Sequence, residues 1–165
     1  REGVEKLIKR LRERIPGVAI RSTFIVGFPG ETDTHYQALR SFVEAQRFDK
    51  VGIFTYSEEE DTPAAKMAQK VPEEVMQERY HDLMSLQSKI SEEINVSLEG
   101  KEVDVLIEGR DEEQEGISIG RSYREAPEVD GQIYIESDTE SRVGDIARVR
   151  LLQGFTYDIV GEKVH

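Results

Sequence analysis

The apolar pattern of this chain changes period near Gly100, and that change restricts the fold more than any other feature. Up to Leu98 apolar residues recur at helical spacing, as in Val4, Leu7, Ile8, Leu11 and Ile15, and again in Val75, Leu83, Leu86, Ile90, Ile94 and Leu98. Beyond Gly100 they follow a period of two: Val103, Val105 and Ile107; Ile117 and Ile119; Ile133 and Ile135; Ile146 and Val149; Phe155, Tyr157 and Ile159. Five short strands joined by polar, glycine-bearing turns predict a small closed barrel of the oligonucleotide-binding type. The chain therefore divides into 1–98 and 99–165, an α/β part followed by an all-β part.

Within the first part, Pro16-Gly17 stops a helix over residues 4–15, and Val18 to Phe28 reads as a buried strand. Thr32 is a candidate N-cap for a second helix from Asp33, with Tyr36, Leu39, Phe42 and Val43 on one face. Asp49 to Tyr56 supplies another strand. Helix, strand, helix, strand implies parallel pairing with a crossover helix. Two strands cannot complete such a sheet, so the remaining ones are expected upstream of Arg1. An acidic loop, Glu58 to Asp61, leads to a short helix opened by Thr62-Pro63, and Pro72 opens a long helix ending near Leu98.

Composition narrows the function classes. The chain has 165 residues and no cysteine, which excludes disulfides, thiolate nucleophiles and protein-ligated iron–sulfur clusters within these residues. His35, His81 and His165 lack partners at metal-ligand spacing and read as surface side chains. No apolar run approaches the roughly 18 residues needed to cross a bilayer, and the first residues lack a secretory signal, so a cytoplasmic location without membrane contact is expected. With no initiator Met and a helix already formed at residue 4, the chain reads as a piece of a longer protein. Net charge is −12; from Glu99 onward 17 Asp and Glu face 8 Lys and Arg, a balance of −9. Direct nucleic-acid binding is therefore not expected, and a basic protein partner is favoured.

The turn Gly27-Phe28-Pro29-Gly30-Glu31-Thr32 leaves a parallel strand and enters a helix, the place where α/β sheets bind ligands. No Lys follows, and Glu31 and Asp33 occupy the helix start, so this is not a phosphate loop. A ligand here is expected to be neutral or cationic.

Residues 21–32, Arg-Ser-Thr-Phe-Ile-Val-Gly-Phe-Pro-Gly-Glu-Thr, resemble the fifth barrel strand and turn of radical S-adenosylmethionine methylthiotransferases. Residues 54–65, Phe-Thr-Tyr-Ser-Glu-Glu-Glu-Asp-Thr-Pro-Ala-Ala, resemble the sixth strand and loop of that family, with Asp61 standing where glycine is expected. Residues 120–131, Gly-Arg-Ser-Tyr-Arg-Glu-Ala-Pro-Glu-Val-Asp-Gly, resemble the signature of its accessory TRAM domain, in the version of the ribosomal-protein-modifying branch.

The resemblance implies the end of a radical S-adenosylmethionine α/β, TIM-like barrel, followed by an OB-like TRAM barrel. It also implies S-adenosylmethionine and two four-iron four-sulfur clusters in the full-length parent, with none expected on this chain, which alone should be inactive. The acceptor in this branch is an aspartate β-carbon of small-subunit ribosomal protein number twelve. Ile25, Gly27, Phe28, Phe54 and Tyr56 match positions that contact the adenine, although Thr23 replaces the first glycine of the general pattern and Glu31 falls one residue late. No catalytic residue and no metal ligand is assigned. Arg121, Tyr123, Arg124 and Glu125 are candidate substrate contacts, on or just after a strand with an exposed face.

Two alternatives stand beside this reading: a transfer-RNA methylthiotransferase, which the acidic second part disfavours, and a non-catalytic OB-like binding module. An incomplete barrel also predicts self-association through residues 18–28.

Overall fold

A computed structural model describes residues 2–136 and 141–164; His165, read above as a surface side chain, lies outside them. The chain forms two compact units, Arg1–Ile90 and Ser91–His165.

In the first unit, α1 (Glu2–Arg14) leads through a turn with Gly17 at φ 77° to β1 (Arg21–Val26). Helix α2 (Asp33–Gln46) connects β1 to β2 (Lys50–Thr55), and the two strands pair in parallel from Arg21↔Lys50 to Val26↔Thr55. Only the middle of the stretch 18–28 is strand, since Gly27 and Phe28 already belong to the turn that follows.

The pleat separates two different faces. On one, Val26 and Ile53 are buried, and Phe24 meets Phe42 and Phe48 at ring-centroid distances of 6.3 and 5.7 Å. On the other, Ile25 and Phe54 sit side by side in the register and are 53% and 59% exposed. Helix α1 forms as its spacing predicts, but of its stripe only Ile8 is buried, while Val4, Leu7 and Ile15 are exposed.

A short 3-10 turn (Ala64–Lys66) precedes α3 (Glu73–Val96), whose buried seam is not purely apolar. Met76, Leu83, Leu86 and Ile90 alternate with Arg79 and Gln87 on the buried side. Gln87 earns its place by donating from Nε2 to the Phe48 carbonyl (3.0 Å).

The second unit begins with the end of α3 and continues as a closed barrel of β3 (Glu102–Arg110), β4 (Ser118–Arg121), β5 (Ile133–Glu136), β6 (Ile146–Gly154) and β7 (Ile159–Lys163). Strand order is β3-β4-β5-β7-β6, antiparallel except for β5 with β7. Leu98, Val105, Ile107, Ile133, Ile135, Ala147, Val149, Leu151 and Ile159 fill it.

Three expectations of phase are corrected here. In β4 the inward positions are Ser118 and Gly120, not Ile117 and Ile119, because a Cβ on Gly120 would lie 2.3 Å from the Leu106 carbonyl oxygen and the interior admits only small residues there. In β6, Ala147, Val149 and Leu151 point inward and Ile146 is 73% exposed. Phe155 and Tyr157 are not strand but the tight β6–β7 reversal, closed by Phe155 N–H donating to the Asp158 carbonyl (2.9 Å).

Candidate functional site

The turn after β1 is assembled by groups from four segments. Gly27 and Gly30 take φ of 79° and 87°, a region that L side chains rarely enter. A Cβ on Gly27 would lie 2.2 Å from Met76 Cγ, so this glycine admits α3 against the turn. Gly30 N–H donates to the Gln69 carbonyl (2.7 Å), Glu31 N–H to the Phe28 carbonyl (2.8 Å), and Gly27 N–H to Glu31 Oε1 (3.1 Å). The donors of both glycines and of Glu31 are thus committed inside the protein.

Glu31 is not available to a ligand. Its side chain is 11% exposed, and Oε1 also accepts from Arg79 Nη1 at 2.7 Å. Arg79, itself 6% exposed, reaches Asp33 Oδ1 with Nη2 (2.6 Å) and lies 5.4 Å from the Tyr36 ring centroid. Thr32 caps α2 as expected, its Oγ1 accepting from His35 N–H while Thr32 N–H donates to His35 Nδ1, both at 3.3 Å. Tyr36 Oη donates to Asp82 Oδ2 (2.6 Å), which also accepts from Arg40 Nε (2.9 Å). Burial, followed by the bond to Asp82, pushes the Tyr36 hydroxyl well above its ordinary value, and the same bond leads the causes that hold the Asp82 carboxyl below its own.

What remains open at the carboxyl ends of β1 and β2 is apolar. Phe28 is 44% exposed and stands edge-on to Tyr56 with centroids 5.4 Å apart; Ile25 and Phe54 continue the patch along the strands. The structure thus brings Ile25, Phe54, Phe28 and Tyr56 to one sheet end, while Gly27 is buried beneath Met76. Asp61, in place of the expected glycine, adopts φ 63°, the left-handed conformation that Asp tolerates. Arg79 escaped the sequence reading; its only signal is a charged residue in register with Met76 and Leu83 on the buried seam of α3. Among the described residues no cluster of His, Cys, Asp and Glu could hold a metal, and no helix is long and apolar enough to cross a membrane.

In the barrel, the loop after β4 distributes its candidate residues unequally. Tyr123 is 68% exposed, and Arg121 Nε pairs with Glu108 Oε1 at 2.7 Å. Arg124 N–H donates to Ser122 Oγ (3.2 Å). Glu125 is 6% exposed, its Oε2 accepting from Ser122 N–H (2.9 Å) and Oγ–H (2.6 Å), so it staples the loop and is not part of an exposed docking face.

Comparison with known proteins fits this layout. A family model described as TRAM domain matches residues 100–164. Proteins named ribosomal protein uS12 methylthiotransferase RimO match nearly the whole chain. That of Heliobacterium modesticaldum is 50% identical over 161 residues, covering 98% of this chain and 34% of the relative. That of Syntrophotalea carbinolica is 48% identical over 161 residues, covering 98% and 35%, and that of Desulforamulus reducens 44% over 156 residues, covering 94% and 35%. The chain spans about a third of the length of the curated relatives it matches. Its motifs, its TRAM domain and these relatives agree: the chain belongs to the RimO family of ribosomal protein uS12 methylthiotransferases.

Proposed function

We propose that this chain contributes one wall of an S-adenosylmethionine site and a substrate-docking barrel to a cytoplasmic enzyme that methylthiolates the β-carbon of an aspartate in ribosomal protein uS12. The observation that carries the reading is the pair Ile25 and Phe54, adjacent and exposed on the uncovered face of β1 and β2. A parallel sheet is normally covered on both faces, so this face belongs against further strands of an α/β barrel and whatever that barrel encloses.

The residues fit a flat, weakly polar ring such as adenine. Ile25 and Phe54 offer apolar contact, Phe28 and Tyr56 an aromatic edge, and Gly27, with its N–H committed to Glu31, its carbonyl. S-adenosylmethionine, bound to a reduced four-iron four-sulfur cluster, supplies the hydrogen-abstracting chemistry and the methyl group. Both clusters of the full-length enzyme need thiolates, and this chain has no cysteine, so the chain by itself holds neither cluster and is inactive. The rigid turn, fixed by Arg79 and Glu31, keeps Phe28 at the sheet end without spending a carboxylate on the ligand.

As partner, a basic ribosomal protein matches the acidic second part, where −9 of the −12 charges reside. Transfer RNA does not, since affinity for a polyanion comes mainly from Lys and Arg on its phosphates.

The test uses the full-length enzyme with clusters assembled. Replacing either Ile25 or Phe54 by Asp removes an apolar contact of about 1.5–3 kcal/mol and is expected to weaken S-adenosylmethionine binding by roughly tenfold or more, with iron content unchanged. Unaltered affinity in both variants rejects the assignment of this face. Mass spectrometry of uS12 after turnover reads the product.

A further inference from the structure

The corrected phase of β4 has a consequence on the outside of the barrel. With Ser118 and Gly120 inward, Ile117 and Ile119 turn outward, where Ile119 stands beside Tyr134 of β5 and Tyr134 beside Val160 of β7. An apolar stripe thus crosses three strands on the solvent side of a closed barrel, whose own core lies on the other side. Next to it is a cavity of about 280 Å³ lined by Ile117, Tyr134, Val160, Phe155, Glu136 and Asp158, together with Gln114.

The charged groups of this lining are carboxylates. Asp158 Oδ1 accepts from Gln132 N–H (2.8 Å), which fixes the carboxylate at the rim, and Glu136 is exposed. Asp111 and Glu113 flank the cavity in the β3–β4 loop, where Asp111 Oδ1 holds the N–H groups of Glu113 and Gln114 at 2.8 and 2.9 Å. The Tyr134 hydroxyl is held above its ordinary value by burial first, then by the charges of Asp158 and Asp111, so their field reaches into the cavity. Phe155 and Tyr157, expected from the sequence to be strand core, are instead 44% and 51% exposed on the adjoining turn.

Aromatic walls with carboxylates at the rim suit a planar cation on an aliphatic stem. A guanidinium stacks on rings and forks to carboxylates, whereas an ammonium keeps its water more tightly. A phosphate group is repelled by every charge in the lining. We propose that this pocket receives an arginine side chain from an extended segment of a basic protein partner; the partner's identity as uS12 rests on the function proposed above, whereas the arginine specificity rests on the pocket alone.

The 165-residue chain, labelled with nitrogen-15, is titrated with hexa-arginine, hexa-lysine, purified uS12 and transfer RNA. Hexa-arginine and uS12 are expected to shift the Tyr134, Phe155 and Asp158 amides, with hexa-arginine binding several-fold tighter than hexa-lysine. The double variant Glu136→Gln/Phe155→Ser alters only exposed side chains and is expected to weaken both by roughly tenfold, as loss of an interface anchor does. Tyr123→Ser, on the loop after β4, is expected to leave binding within about twofold. Binding of hexa-arginine within twofold in the double variant overturns the pocket assignment, as does displacement of hexa-arginine from these residues by transfer RNA. Pocket binding of hexa-arginine without any binding of uS12 sustains the pocket and refutes the partner. Binding of uS12 that ignores the double variant sustains the partner and refutes the pocket.

Discussion

Replacing Arg79 by Met tests how the turn at the sheet end is held. Arg79 and Glu31 are close to fully buried, with side chains 7% and 11% exposed and a 2.7 Å contact between them. Asp33, the second partner, is 93% exposed and adds little. Methionine preserves much of the stem's packing but leaves the Glu31 carboxylate buried with only the Gly27 N–H as donor. Stranding one member of a buried pair costs about 3–5 kcal/mol, to which loss of the guanidinium over Tyr36 adds about 0.5–1. The expected total is about 4 kcal/mol, a large share of what any domain of this size possesses.

Glu31→Leu removes the stranded charge and is expected to recover most of that loss in the double variant, since a buried pair exchanged for apolar side chains is nearly neutral. Urea unfolding followed by helical circular dichroism gives all four corners of the cycle. Single-variant losses below about 1 kcal/mol, or a double variant equal to the sum of the singles, refute the claim that the turn depends on this pair.

Two further outcomes follow from the same unit. Tyr36→Phe is expected to cost about 1 kcal/mol at neutral pH, because Asp82 is 46% exposed and its hydrogen bond is partly screened. The Asp82 carboxyl is lowered from 3.8 and the Tyr36 hydroxyl raised from 10.0. The first contribution is thus present above the unfolded carboxylate value and lost as pH falls through the folded one; the second is present below pH 10.0 and lost as pH rises toward the folded value. The difference between wild type and variant, measured by urea unfolding across pH, should be flat near neutrality and shrink at acid pH; a constant difference refutes the linkage. Light scattering of the 165-residue chain is expected to show self-association that Ile25→Asp or Phe54→Asp reduces, since β1 and β2 are both edges and their open face is apolar; a monomer at high concentration contradicts it.

The barrel was legible as five strands because alternation survives in any sheet with one buried face, and Val105, Ile107, Ile133 and Ile135 obey it. Phase was legible only where the outward residues are polar. Ile117, Ile119 and Ile146 broke it: an apolar side chain carries no mark of the side it faces, and the deciding contact, Gly120 against the Leu106 carbonyl, joins strands through a backbone atom. The candidate site divides in the same manner. Gly27, Gly30 and the Thr32 cap are local features, and the turn could be read from them. The partner of Glu31 lies 48 residues away on another helix, so a carboxylate that looked available to a ligand proves to be spent on Arg79.

That expenditure also explains why the site's accessible chemistry is apolar. A turn with two glycines at positive φ is a poor self-supporting structure, since each has the conformational freedom of glycine to lose. Holding it requires bonds from outside the turn, and here Gln69, Glu31 and Arg79 supply them while Met76 fills the space that Gly27 leaves. Every polar group recruited to that task is withdrawn from the ligand side. Ile25, Phe28, Phe54 and Tyr56 remain, and selectivity at this wall must come from the shape and stacking of a ring against them, with the charged recognition of a cofactor left to other elements of the enzyme.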